Sequence, residues 1–268
     1  MDTLLYVDGD AGMEKRCQVA LDLARVCGGH IECLQPTATQ PLISNVDFGA
    51  ADLLAKKASD AQRHKDALRE ATISRLGSVD VSWGYRAVNG DPIHMLTEAA
   101  RLVDLVVLNA TRQSSALNGV APSAGEVVGR LEVPVLAIPP GDMPFNPTGP
   151  ALIAWDGSAQ CGHAIRGALE LLKAAATIVI VTVGQVKTDL HAEQAQQYLG
   201  HHQLPSQIVA LPDVGQSIST SLLEAQGTFQ AGYMVMGAYG HSRARELLLG
   251  GVTREMLATS PIPILMAH

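Results

Sequence analysis

The sequence predicts an α/β protein of two open five-stranded parallel sheets, each flanked by helices and related to the other by a pseudo-twofold. Three observations predict it. Ala, Val, Leu and Ile dominate the apolar residues, which fill 47% of the 268 positions; this is the composition of a buried parallel sheet covered by helices. Short apolar runs alternate with helical stretches, as right-handed β-α-β crossovers require. The same order of elements is written twice.

The first copy opens with an apolar strand at Leu4–Val7, then Asp8-Gly9-Asp10, then a helical stretch ending at Cys27-Gly28-Gly29. The second opens with Ala151–Trp155, then Asp156-Gly157-Ser158, then a helix ending near Ala175. Each helix leads into another strand, Ile31–Leu34 or Thr177–Val183. A longer helix over Phe48–Leu76 follows in the first copy, with Leu53, Leu54, Ala58, Ala61, Leu68 and Ala71 at helical spacing. Its other face, carrying Lys56, Lys57, Arg63, Lys65 and Arg69, reads as solvated. The second copy continues with a helix through His191–His201, a strand at Gln207–Leu211 and a helix through Ser217–Ala225. Asp104–Leu108 and Tyr233–Met236 are equivalent strands, and Glu132–Ile138 and Ser260–Met266 each enter a last strand through a proline, where a missing N–H does least harm. Between the copies, residues 139–150 hold five prolines in twelve positions, a stiff and extended linker. The expected units are therefore 1–140, a linker over 141–150, and 151–268.

Composition excludes several functions. A formal net charge of −7 and only 4% aromatic residues leave neither the basic stripe nor the stacking platforms that nucleic-acid binders use. Apolar runs such as Leu105–Leu108 and Ile178–Val181 fall far short of the ~20 residues that span a bilayer. No basic stretch precedes an apolar run at Met1-Asp2-Thr3, so no secretory signal is expected. Cys17, Cys27, Cys33 and Cys161 in so long a chain are not a disulfide framework. A reduced, cytoplasmic setting is expected.

The chemistry concentrates after the fourth strand of the second copy. Gly237 and Gly240 let the chain turn sharply and bring bare N–H groups toward an anion, and Gly250-Gly251 precede a helix over Val252–Ala258. A glycine-led helix N-terminus offers unpaired N–H groups and the positive end of the helix dipole, and Thr253 adds a hydroxyl. The P-loop and dinucleotide fingerprints are both absent. The spacing Gly237-x2-Gly240-x9-Gly250, after a strand and before a helix, resembles the G-x2-G-x9-G-[ST] signature of the universal stress protein family. The resemblance spans both copies, through the strand-Asp openings at Asp8 and Asp156, the Asp-Leu-Val-Val-Leu strand and the Pro-Val/Ile-Leu final strands.

That resemblance implies an adenine-nucleotide-α-hydrolase-like fold holding ATP, with or without Mg²⁺, over the carboxyl edge of the second sheet. Carried over residue by residue, it implies a site of Asp156, Val183, Gly237, Gly240, His241, Gly250, Gly251, Val252 and Thr253. One departure stands out: Gly251 occupies the place of the family's Ser or Thr, at a cost of ~1 kcal/mol for the lost hydrogen bond. Arg243 and Arg245 could compensate or remain solvated. The first copy runs Asn109-Ala110-Thr111-Arg112-Gln113 after its fourth strand, without the glycine pair, so no ATP is expected there. Asp8 is then a helix cap or a surviving turn residue, and the copy serves as the pseudo-twofold partner through apolar complementarity at the final strands.

Other constellations are weaker. Cys27-x2-His30-x2-Cys33 straddles a helix end, a turn and a strand, with no fourth ligand. His191 and His202 stand ~16 Å apart on one helix and cannot share an ion. Ser158 lacks a nucleophile elbow and reads as a helix N-cap. The expected function is stress-response regulation through nucleotide binding, with no catalytic residue assigned. Two rivals remain: an interaction module that has lost its ligand, and a slow ATPase or nucleotidyl transferase. A homodimer of the tandem chain is expected to be feasible.

Overall fold

The structure, a computed structural model, describes residues 1–38, 50–115, 117–185, 190–238 and 250–268. Its first half runs β1 (Thr3–Tyr6), α1 (Met13–Cys27), β2 (His30–Thr37), α2 (Ala50–Gly77), β3 (Ser82–Asn89), α3 (Pro92–Ala99), β4 (Leu105–Asn109), β5 (Gln113–Ser115), β6 (Gly119–Ala121), α4 (Ala124–Val127) and β7 (Val135–Ile138). The second half runs β8 (Ala151–Ala154), α5 (Ala159–Leu172), β9 (Ile178–Val183), α6 (Ala192–His201), β10 (Ser206–Leu211), α7 (Ile218–Phe229), β11 (Tyr233–Gly237), α8 (Gly251–Thr259) and β12 (Ile264–Ala267).

The two five-stranded parallel sheets do not lie apart. They join edge to edge into one ten-stranded sheet, in the order β10-β9-β8-β11-β12-β7-β4-β1-β2-β3. The junction is antiparallel: Ile264 faces Ala137, Leu265 faces Leu136 and Met266 faces Val135. The two final strands thus share a backbone ladder as well as apolar contact, because every residue of both strands is buried and its N–H and C=O need partners there. Reading outward from this junction gives the same strand order on both sides. It also sets the carboxyl ends of the two parallel halves at opposite edges of the sheet.

The helices follow from apolar stripes. In α1, Cys17, Val19, Ala20, Leu21, Leu23 and Ala24 are buried; in α5, Cys161, Ala164, Ile165, Ala168, Leu171 and Leu172. These two helices meet across the junction, and Gly167 of α5 admits the ring of Pro134, whose Cγ would stand 2.7 Å from any added Cβ. The start of the long helix expected from Phe48 lies outside the described residues; from Ala50 the helix continues to Gly77, and Lys56 is exposed. The segment 139–150 has no regular structure, yet it is packed rather than free: Phe145 is buried and meets the Tyr233 ring edge-on at 6.2 Å. The Lys15 ammonium donates to the carbonyls of Pro139 and Gly141.

Candidate functional site

The carboxyl edge of the second half gathers the residues singled out in the sequence that are described. Ala154 pairs with Val181 on one side and Met236 on the other, so Asp156, Val183 and Ala238, each two residues further on, come level at the rim. Gly237 ends β11 beside them. Gly250, Gly251, Val252 and Thr253 form the start of α8. Gly240, His241, Arg243 and Arg245 lie outside the described residues.

Four helices follow strands at this rim, and the caps of α5, α7 and α8 differ. At α5, Ser158 Oγ accepts from Cys161 N at 3.2 Å, so Ser158 is an N-cap as its position suggests. At α7, Ser217 Oγ accepts from Thr220 N at 3.1 Å. At α8 the N-cap is Gly250, with no side-chain hydrogen bond, and the first in-helix bond is Arg254 N to the Gly250 carbonyl. The amides of Gly251, Val252 and Thr253 therefore have no acceptor within the helix. Gly251 is exposed, Val252 is half-buried and Thr253 is buried. Among the described residues nothing stands within 4 Å of where a Gly251 Cβ would be.

Gly237 has a second reason to be glycine. A Cβ there would fall 2.7 Å from Cys161 N and 3.0 Å from the Gln160 carbonyl carbon, so its bare backbone is what lets the first turn of α5 approach β11. Asp156 is half-buried, and its Oδ1 accepts from Ser158 N at 2.9 Å. Gly157 behind it has φ +76°, a conformation that favours glycine. Burial, with the Asp156 carboxylate beside it, pushes the Cys161 thiol up to about 12, which rules it out as a nucleophile near neutrality. The rim's described chemistry is the Asp156 carboxylate at the end of β8 and a glycine-led helix N-terminus at the start of α8, the latter suited to an anion.

The rim of the first half is closed by the chain itself. Asp8, which matches Asp156, is fully buried and neither caps a helix nor marks a free turn. Its carboxylate accepts from the hydroxyls of Tyr6 and Ser115 and from the Asn118 amide. Burial raises its pKa, and these three donors do not fully offset that. Beside it, Asp10 forms a buried 2.7 Å ion pair with Arg16, and it also accepts from Asn109 and Gly12 N. Burial alone would raise Asp10, but the Arg16 guanidinium outweighs it and holds the carboxyl below its ordinary range. Where α8 is bare, α4 is sealed: Glu126 reaches back to accept from Ser123 N at 3.0 Å and Ser123 Oγ at 2.8 Å, and Arg112 pairs with it. Burial works against ionisation here too, yet Arg112 and Ser123 keep the Glu126 carboxyl below its ordinary range.

The weaker constellations do not come together. Cys27 and Cys33 sit in different apolar clusters, and the His30 ring bonds Ser82 Oγ at 2.8 Å. Among the described residues no group of His, Cys, Asp or Glu is placed to hold a metal ion. A cleft of about 540 Å³ does open between α1 and the proline-rich segment. Its one lysine, Lys15, is already spent on backbone carbonyls, while Glu14, Asp22 and Asp142 line it; it is not built for an anion.

A ten-stranded sheet of two twofold-related halves with the same strand order, an aspartate after each first strand and a glycine-led helix at one rim define a tandem α/β protein. By sequence and fold the chain is similar to universal stress proteins along nearly its whole length. A universal stress protein of Synechocystis sp. is 24% identical over 288 residues, 98% of each chain. A universal stress protein from Archaeoglobus fulgidus has the same fold, with a TM-score of 0.70 at 16% identity over 99% of this chain and 95% of that one. A functionally unknown protein of Pseudomonas aeruginosa matches with a TM-score of 0.57 at 15% identity, over 98% of this chain and 91% of its own. No family model matches. Among the described residues no helix is long and apolar enough to cross a membrane.

Proposed function

We propose that the chain binds one ATP, or a related adenine nucleotide, at the rim of its second half and acts as a stress-response regulator through that binding. In this reading the chain is two universal-stress-type units, 1–140 and 151–268, joined by 141–150. The single observation that carries it is the N-terminus of α8, which has no side-chain cap among the described residues: Gly250 leaves three amides without an acceptor inside the helix, at the edge of the sheet where open α/β folds bind ligands. The phosphates would take the amides of Gly251, Val252 and Thr253 together with Gly240 and His241. The base would meet the backbone at Val183, and Asp156 would stand at the sugar, or at a Mg²⁺ that travels with the triphosphate.

No paired carboxylates or activated nucleophile are described at this rim, so the activity proposed is occupancy, with at most slow hydrolysis. The first half supplies the antiparallel partner edge and binds no nucleotide. Two tandem chains could also pair as a homodimer. Mass spectrometry of the denatured, freshly purified protein tests the nucleotide directly. Co-purifying adenine nucleotide supports the proposal; its absence, with no thermal shift on adding ATP and Mg²⁺, supports a ligand-free interaction module instead.

A further inference from the structure

We propose that β3, one of the two outer strands of the ten-stranded sheet, is the edge on which a second copy of this chain docks, antiparallel and in a register centred on Tyr85. The inference rests on the homodimer pairing proposed above and names its surface. The sheet ends in β3 on one side and β10 on the other. β10 is guarded, with Pro205 before it and Pro212 after it. β3 runs for eight residues without proline or lysine, and such an edge is a template for another strand. Gly90 N donates to the Thr37 carbonyl, and backbone direction alternates along a strand. The N–H and C=O groups of Trp83, Tyr85, Ala87 and Asn89 therefore point away from β2, and among the described residues they have no partner.

The side chains of β3 complement their own copies about a twofold through Tyr85. In that register Tyr85 pairs with the Tyr85 of the second copy, and Trp83 pairs with Ala87 in both directions, each pair exchanging two backbone bonds. Arg86 then stands opposite Gly84, so a large residue meets a small one on either face of the sheet. Glu32 lies beside Gly84 in the β2 register, and its carboxylate leans over the glycine: an added Cβ there would stand 2.8 Å from Glu32 Oε2. Arg86 pairs with Glu32 of its own chain at 3.3 Å; across the edge it would meet the same carboxylate of the second copy. Moving the twofold to Arg86 would instead set the two guanidinium groups against each other, and like charges directly opposite destabilise a strand pair. Charge thus favours Tyr85 as the axis, and an interface made of one patch on both chains closes as a dimer.

Sedimentation equilibrium of the full-length chain should show monomer and dimer exchanging in the micromolar to submillimolar range; a monomer throughout would overturn the proposal. Hydrogen exchange on the same wild-type samples locates the contact. The amides of Trp83, Tyr85 and Ala87 should gain protection as concentration rises, while those of Ile208 and Ala210, which point outward from β10, should not. A dimer that leaves β3 unprotected overturns this edge and leaves the pairing itself standing. Ala87→Pro removes an outward N–H and no bond to β2, a place where an edge strand tolerates proline. It should weaken the dimer about tenfold or more, for one bond lost from each chain. Ala210→Pro is the matched change on β10 and should leave the dimer intact; the reverse pattern would overturn the choice of edge. Arg86→Glu should dissociate the dimer, and adding Glu32→Arg to it should restore association. A double variant no better than Arg86→Glu alone would overturn the register.

Discussion

The two rims of this chain start from the same strand-Asp-Gly opening and arrive at opposite solutions. In the first half the two carboxylates after β1 and the start of α4 are satisfied internally: Asp8 by Tyr6, Ser115 and Asn118, Asp10 by Arg16, and the start of α4 by Glu126. In the second half the matching helix start carries glycine and no cap. The difference teaches that two copies of one fold can turn the same opening into a closed polar network in one half and a glycine-led helix start in the other. A helix N-terminus attracts an anion in either case; a glutamate from the same chain, or a solute, can be that anion.

The largest effect should come from breaking the closed rim. Asp10→Asn leaves Arg16 as a buried, unpaired cation and is expected to cost roughly 3–5 kcal/mol, read as a fall in the urea midpoint with nucleotide affinity unchanged. The pH dependence has a definite sign. Asp10 is held below its ordinary value of 3.8, so its stabilisation is fully present above that value and is lost as pH falls through the lower folded one. Acid titration of stability should therefore be steeper in the wild type than in Asp10→Asn.

Next comes Gly237→Ala, whose methyl would meet the α5 backbone; overpacking of this kind costs about 1–3 kcal/mol, measured by chemical denaturation. Gly251→Glu sharpens the contrast between the rims by giving α8 its own anion. The variant should gain a few tenths of a kcal/mol in stability while losing about tenfold or more in ATP affinity by calorimetry, a difference of about 1.4 kcal/mol. A smaller gain is expected from Gly251→Ser, which restores a hydroxyl where there is room: about fivefold tighter ATP, from ~1 kcal/mol. Ser158→Ala, which uncaps α5, should cost ~1 kcal/mol of stability and leave binding as it was.

The architecture was legible in the sequence because the central strands are short apolar runs and each half repeats the order of the other. The proline entries and the Asp-Gly turns gave the register of that repeat. The junction between final strands was less legible, since backbone pairing carries no residue code; only the complete burial of Val135–Ile138 and Ile264–Ala267 reveals it. Asp156, Val183, Gly237 and the start of α8 could be placed at one rim from their positions after strands.

The closed rim was missed. Arg16 sits three, four and seven residues before Val19, Ala20 and Leu23, on an apolar face of α1, and a lone arginine there signals a buried partner such as Asp10. The β5–β6 hairpin was missed too, although Asn118-Gly119 is a strong turn dipeptide. Its strands are too short to show a period, and the bonds of Asn118 to Asp8 and Ala38 reach far along the chain, a separation that local pattern cannot register.

Equilibrium dialysis of the full-length chain against labelled ATP with Mg²⁺ tests the asymmetry of the two rims most directly. One nucleotide per chain, lost in Gly251→Glu and kept in Glu126→Ala, is the predicted result. Two nucleotides per chain, or one that survives Gly251→Glu, would contradict it.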